Sequence, residues 1–230
     1  MFDCSGRLRP AAFMDIAQEV AALDSERNGF ADGDLKKHGL VWILARMNVR
    51  YDKMPVRLDT VTAQTWHRGL DGVFFRRDYR LLDSMGEPAV SATSEWVIMD
   101  IESRRLVRSD KVTDLIPAQT QADESALDTG TGKLRIDGSL VLARVTTHRV
   151  VYSDLDYNGH VNNAKYTVWA MDTLPPEVTG HRSPREIRIN FSREALPGTE
   201  VELFCGQKGD TYSVEGRIAG EQSFITEIIF

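Results

Sequence analysis

The chain has 230 residues, of which 42% are hydrophobic and 27% charged, the composition of an ordinary folded protein; two compact domains of about 110 residues each fit that length. A net charge of −6 argues against general nucleic-acid binding, and no run of about 18 apolar residues is present to span a membrane. Cys4 and Cys205 form neither a CxxC pair nor a zinc spacing, so two free thiols in a reducing cytosol are expected.

The start, "MFDCSGRLRPAAFMD", reads as neither a signal peptide nor a transit peptide, which makes the cytoplasm the expected compartment. Phe13, Ile16, Val20 and Leu23 then recur at helical spacing with Ala17 and Ala21 beside them, predicting an amphipathic helix over roughly 10–26. Four strands follow in "VWILARMNVRY", "DTVTAQTWHRG", "GVFFRRDYRLLD" and "PAVSATSEWVIMD", with a turn at Ser84–Gly86 between the last two. Residues 103–140 are rich in small and polar types and read as a connector crossing the surface. The first pattern then returns. "LARVTTHRVVY" is a strand, and Val161, Ala164, Val168 and Met171 share one face of a second helix. "REIRINF", "VELFC", "TYSVEGRIA" and "SFITEIIF" supply four more strands.

This is an internal repeat. "DCSGRLRPAAF" at 3–13 lies on "DYNGHVNNAKY" at 156–166, so that Asp3 falls on Asp156, Gly6 on Gly159 and Phe13 on Tyr166. Further on, Tyr51 and Pro55 match Phe191 and Pro197, with two extra residues in the second half, around Glu194. Ser5 and Arg7 stand where the second copy has Asn158 and His160. A single active site would therefore belong to the second half.

"DLDYNGHVNN" at 154–163 also opens like a calcium loop, with Asp154, Asp156, Asn158 and Gly159 in the first six positions. Position twelve, where a bidentate Glu is required, is Lys165, whose ammonium repels a cation. His160 has no second His or Cys at ligand spacing, so no metal is expected. The alternative is acyl-transfer chemistry. Asn158–His160 lie near a predicted helix start, where free N–H groups favour developing negative charge. Asp156 presents a carboxylate beside that point, Asn158 can orient water, and His160 can move a proton near neutral pH. Asp, Asn and Gly are also ordinary cap and turn residues, and Asn162 or Asn163 is available as the cap. No GxSxG occurs, which favours a carboxylate over a serine or cysteine nucleophile.

The stretch "SDLDYNGHVNNAKYTVW" at 153–169 resembles the most characteristic segment of the acyl-acyl carrier protein thioesterases of plant plastids and bacteria. "VWILARMNVRYDKMP" and "RRDYRLLDSMGEPAVSATSEWVIMDIESRRL" are similar to the family's first half. The resemblance implies an α+β fold of two tandem hotdog domains, each a long helix wrapped by an antiparallel sheet. We expect an acyl-chain hotdog at 1–110, a connector at 111–143 and a catalytic hotdog at 144–230. It also implies hydrolysis of the thioester between a fatty acyl chain and the phosphopantetheine arm of acyl carrier protein, without a cofactor. The family's catalytic Asp, Asn and His fall on Asp156, Asn158 and His160, and its Glu on Glu194. Plant members commonly carry a Cys after that Glu; here Ala195 removes a thiol mechanism at that position. Asp156 is expected to act as base or nucleophile, Asn158 and His160 to position and polarise, and Glu194 to assist the water or hold His160.

Trp42, Met47, Val73 and Phe75 are the expected acyl-pocket residues, and Arg76, Arg77, Arg104 and Arg105 the expected docking cations for acidic carrier protein. A homodimer is compatible with this reading. The alternatives are an acyl-CoA thioesterase of the same fold, a non-catalytic acyl-binding double hotdog, and a hotdog dehydratase.

Overall fold

The computed structural model describes residues 1–108, 111–116 and 122–230, so part of the expected connector lies outside the described residues. Helix α1 (Pro10–Asn28) opens on a proline, whose missing N–H costs nothing in the first turn. It buries Phe13, Met14, Ala17 and Ala21. Burying a side chain such as Phe13 is worth roughly 1.5–3 kcal/mol. Leu23, expected on the same face, is instead exposed. The last turns of α1 border a cavity, lined there by Ala21, Ala22 and Ser25. A short helix that the periodicity does not predict, α2 (Asp32–Lys36), follows.

Strands β1 (Leu40–Tyr51), β2 (Thr62–Asp71), β3 (Phe74–Leu82) and β4 (Pro88–Asp100) complete the first half. The second half has β5 (Ala143–Arg149), α3 (Asn163–Asp172), a short α4 (Pro176–His181), and β6 (Glu186–Phe191), β7 (Glu200–Lys208), β8 (Thr211–Ile218) and β9 (Glu221–Ile229). The buried face of α3 is Ala164, Tyr166, Thr167, Trp169 and Ala170. The expected Val168 and Met171 are only half-buried. The aromatic rings of Tyr166 and Trp169 outweigh them, packing 4.9 Å apart, with Phe224 5.2 Å from Tyr166.

The nine strands among the described residues form one antiparallel sheet in the order β2-β3-β4-β1-β6-β9-β8-β7-β5. Outward from the middle the order runs β1, β4, β3, β2 on one side and β6, β9, β8, β7 on the other, the same sequence of equivalent strands, with β5 added at the second edge. If Tyr51 is set on Phe191, as the sequence repeat has it, Asn48 falls on Arg188, and those two residues are direct partners across the β1–β6 junction. Each half is thus a helix wrapped by antiparallel strands, and the whole is an α+β tandem double hotdog. The two helices touch, with Thr167 Oγ1 2.8 Å from Met14 Sδ. The main core lies between them and the sheet, and a smaller core gathers Phe30, Leu35, Leu40, Phe75 and Ile98. The described part of the connector crosses the sheet: Ala126 N–H bonds the buried carboxylate of Asp78, and Leu134 N–H bonds Asn190 Oδ1.

Candidate active site

Asp156 opens a tight loop rather than a helix. Its Oδ1 accepts the N–H groups of Asn158 at 2.8 Å and His160 at 3.1 Å. The Asp156 N–H bonds the His160 carbonyl at 2.8 Å, and Gly159 supplies the positive φ of 77° that the turn needs. Helix α3 begins only at Asn163, capped by Asn162, whose Oδ1 takes the Ala164 N–H at 2.8 Å. The amides of Asn158 and His160 therefore serve Asp156 and not a helix-end oxyanion site. The spacing puts these residues near the helix start, with only Val161 and Asn162 between His160 and Asn163, but the Asx-type turn takes precedence.

Asp154, the apparent first calcium ligand, is buried and employed as a support. Its Oδ2 accepts Val151 N–H at 2.9 Å and meets His148 Nε2 at 2.8 Å, and its carbonyl takes the Asn162 N–H. Glu194 lies in the loop between β6 and β7, half-buried, over the fully buried Ala195. The Ala195 N–H bonds the Tyr166 hydroxyl at 3.0 Å, which ties this loop to α3. Burial pushes the Tyr166 phenol up to about 12, so it stays neutral there. Glu194 Oε2 stands 3.8 Å from His160 Nε2, a charge contact too long for a hydrogen bond.

Two cations from the first half reach this group. Arg104, expected as a docking residue, pairs with Glu194 Oε1 from a left-handed turn at φ 54° after β4. Lys36 of α2 donates to Asn158 Oδ1 at 2.9 Å. Neither role is marked by local sequence, because the contacts join residues about a hundred positions apart.

A cavity of about 990 Å³ runs between the halves. Asp156, Asn158 and Asn162 line one part of it, and Phe30, Trp42, Phe75 and Trp96 another. Of the expected pocket residues, Trp42 and Phe75 line it. Met47 is instead packed in the main core, and Val73 is exposed at the β2–β3 turn. Of the expected docking cations, Arg105 is exposed. Arg77 is buried, its guanidinium spent on Asp24, Thr65 and Ser25, which removes it from any docking surface. Arg76 lines the cavity and pairs with Asp71 at 2.5 Å. The sequence reading did not single out His67, which also lines the cavity. Burial, reinforced by the Arg77 charge, holds its imidazole down at about 4.

No helix among the described residues is long and apolar enough to cross a membrane. The chain is 31% identical to an oleoyl-acyl carrier protein thioesterase of Arabidopsis thaliana, over 86% of this chain and 61% of that protein. It is 32% identical to a palmitoyl-acyl carrier protein thioesterase of Cuphea hookeriana, over 76% of this chain and 43% of that protein. It thus spans less than two thirds of either relative's length. Its fold is similar to that of an acyl-ACP thioesterase from Bacteroides thetaiotaomicron, with a TM-score of 0.87 at 23% identity over 99% of this chain and 92% of that one. The 12:0-ACP thioesterase of Umbellularia californica is similar at a TM-score of 0.84 and 23% identity, over 99% and 92%. The family models for the N-terminal and C-terminal domains of acyl-ACP thioesterase match residues 1–116 and 142–223 in turn, one on each side of the β1–β6 junction; the chain belongs to the acyl-acyl carrier protein thioesterase family.

Proposed function

We propose that this protein hydrolyses fatty acyl-acyl carrier protein thioesters, releasing free fatty acid and holo-carrier protein. The observation that carries the reading is one continuous cavity with an aromatic wall in one half and Asp156 and Asn158 in the other. An acyl chain lying on the aromatic wall would leave its thioester at the polar end. The division of labour then follows: residues 1–110 hold the chain, 111–143 connect, and 144–230 carry the chemistry.

Asp156 Oδ1 is committed to two amides, and among the described residues Oδ2 has no hydrogen-bond partner. Oδ2 is the atom assigned to the reaction, as base toward water or as nucleophile on the carbonyl carbon. Either route forms a tetrahedral oxyanion. The Lys36 ammonium and the Asn158 amide, joined at 2.9 Å, supply positive charge and donors beside it. The thiolate of the phosphopantetheine arm leaves with a proton. His160 moves that proton, and Glu194, held by Arg104, balances its charge. No part of this scheme needs a second copy of the chain. With Arg104 spent on Glu194, Arg105 is the expected docking cation that remains for an acidic carrier. We place this activity in a reducing cytoplasm, where Cys4 and Cys205 would stay free thiols.

The test is kcat/KM on acyl-carrier and acyl-CoA substrates matched in chain. Preference for the carrier supports the reading. Preference for CoA moves the protein to the acyl-CoA thioesterases, and no release from either sinks the hydrolase assignment.

A further inference from the structure

Glu194 is fastened on both sides by groups that take no part in the chemistry above. Ahead of it, β9 pins the chain. The Ser223 carbonyl accepts the N–H groups of Ser192 at 2.8 Å and Arg193 at 3.0 Å, and Ser223 Oγ donates to the Arg193 carbonyl at 2.7 Å. Behind it, the Ala195 N–H donates to the Tyr166 hydroxyl at 3.0 Å. Ala195 has no exposed surface, and a buried amide left without a partner is costly. The Tyr166 hydroxyl also faces Ser223, which joins the two fastenings. Burial, with the Glu194 charge adding to it, keeps the phenol neutral, so its oxygen accepts the amide while its proton stays available to a neighbour.

The Tyr166 ring does not need its hydroxyl in order to pack. Trp169, Phe191 and Phe224 surround it at 4.9, 5.5 and 5.2 Å. The equivalent ring in the first half is Phe13, which meets Tyr51 edge-on at 6.3 Å as Tyr166 meets Phe191. The two halves share the ring pair and exchange the hydroxyl: it is on the strand in the first half and on the helix in the second. The turn after Tyr51 is two residues shorter and carries no glutamate. The helix hydroxyl therefore occurs in the same copy as the insertion that it fastens.

We propose that Tyr166 is a positioning residue for the hydrolysis: its hydroxyl, through the Ala195 amide and together with Ser223, holds the Glu194 carboxylate in its place beside His160. The inference rests on the role given to Glu194 above, and adds the group that sets its position. Arg104 holds the carboxylate from the first half, and Tyr166 holds the backbone that carries it. Tyr166 is not one of the residues that line the cavity, so its loss acts on kcat rather than KM.

The test is Tyr166→Phe, which copies the ring of the first half. Its kcat on acyl-carrier substrate is expected to fall about tenfold or more, since a misplacement of roughly 1 Å costs up to about 10²-fold, with KM unchanged. The decisive step is a cycle with Glu194→Ala, with rates read in single turnovers where kcat is low. Tyr166→Phe is expected to slow the wild-type chain and to change Glu194→Ala by less than about twofold. Equal loss in both backgrounds means that the hydroxyl serves the fold at large, and overturns the proposal; so does a wild-type kcat in Tyr166→Phe. Amide hydrogen exchange supplies a reading without turnover: protection of the Ala195 amide is expected to be lost in Tyr166→Phe, and unchanged protection overturns the proposal as well. Thermal denaturation confirms folding, and Ser223→Ala goes through the same cycle if Tyr166→Phe does not fold. A Glu194→Ala of full activity sinks the role of Glu194 and this inference with it. An impaired Glu194→Ala beside a fully active Tyr166→Phe sinks this inference alone.

Discussion

The loop at Asp3 and the loop at Asp156 are the same object built twice. In each, the aspartate Oδ1 takes the N–H two residues on at 2.8 Å and the N–H four residues on, at 2.9 Å from Arg7 and 3.1 Å from His160. In each, the aspartate N–H returns to the carbonyl four residues on, and Gly6 or Gly159 turns the chain at φ 81° or 77°. The two loops part at the second carboxylate oxygen. Asp3 Oδ2 is paired with Arg7 Nε at 3.1 Å, and Arg7 goes on to bond the carbonyls of Thr179 and Gly180. Asp156 has His160 in place of that arginine, and the arginine that enters its site, Arg104, binds Glu194. One frame therefore serves as a strut in the first half and leaves a carboxylate oxygen available in the second. The shared hydrogen bonds explain the backbone, and only the substituted side chains can explain a reaction.

The sharpest way to break the comparison is to treat both aspartates alike. Asp156→Asn keeps Oδ1 as an acceptor and removes the charge, so kcat on acyl-carrier substrate should fall by about 10³-fold with little change in Tm. Asp3→Asn should leave kcat untouched; equal losses from the two would end the distinction. Next, His160→Arg imports the strut into the second loop. The guanidinium should pair with Asp156 Oδ2, and kcat should fall by about 10²-fold in a protein that remains folded. An active H160R would show that Oδ2 is not the reacting atom.

A smaller effect is expected from the reverse side. Arg7→Ala strands the Asp3 carboxylate and two carbonyls, at a cost of about 1–3 kcal/mol in denaturant unfolding, with steady-state kinetics unchanged. The smallest effect is a pH dependence. Partial burial opposes ionisation of Asp3, but hydrogen bonds from Ser5 and Arg7 and the Arg7 charge outweigh it, so its folded pKa lies below 3.8. Its stabilisation is then complete above 3.8 and is lost as pH falls through the lowered folded value. Tm measured across that acid range should slope less in D3N than in wild type.

Much of this was legible in the chain. The strands showed their alternation, and Asp3 on Asp156 showed the repeat. What escaped was tertiary. Leu23 kept helical spacing yet faces solvent, because α1 runs on past the core to border a cavity. Helices of five or six residues, α2 and α4, are too short to show a period. Arg104 looked like one more surface cation in a basic stretch, and only folding carries it to Glu194. Lys36 gave no sign of Asn158, and His67 lay within an ordinary strand pattern. The short spacing puts Asn158 and His160 near a helix start; the aspartate's claim on their amides is a matter of geometry that spacing does not encode.

The β1–β6 junction gives the molecule a fixed ruler. The halves meet through a backbone ladder from Arg46 opposite Asn190 to Arg50 opposite Glu186, not through side chains alone. Sliding one half past the other would mean changing the register of that ladder, and a slip of one residue would turn every inward side chain of the strand outward. The span from the aromatic wall to Asp156 is consequently graduated by strand pairing. If the cavity holds an acyl chain as proposed, one of the wrong length cannot be accommodated by sliding the halves, and any change of measure must come from the side chains that line the cavity.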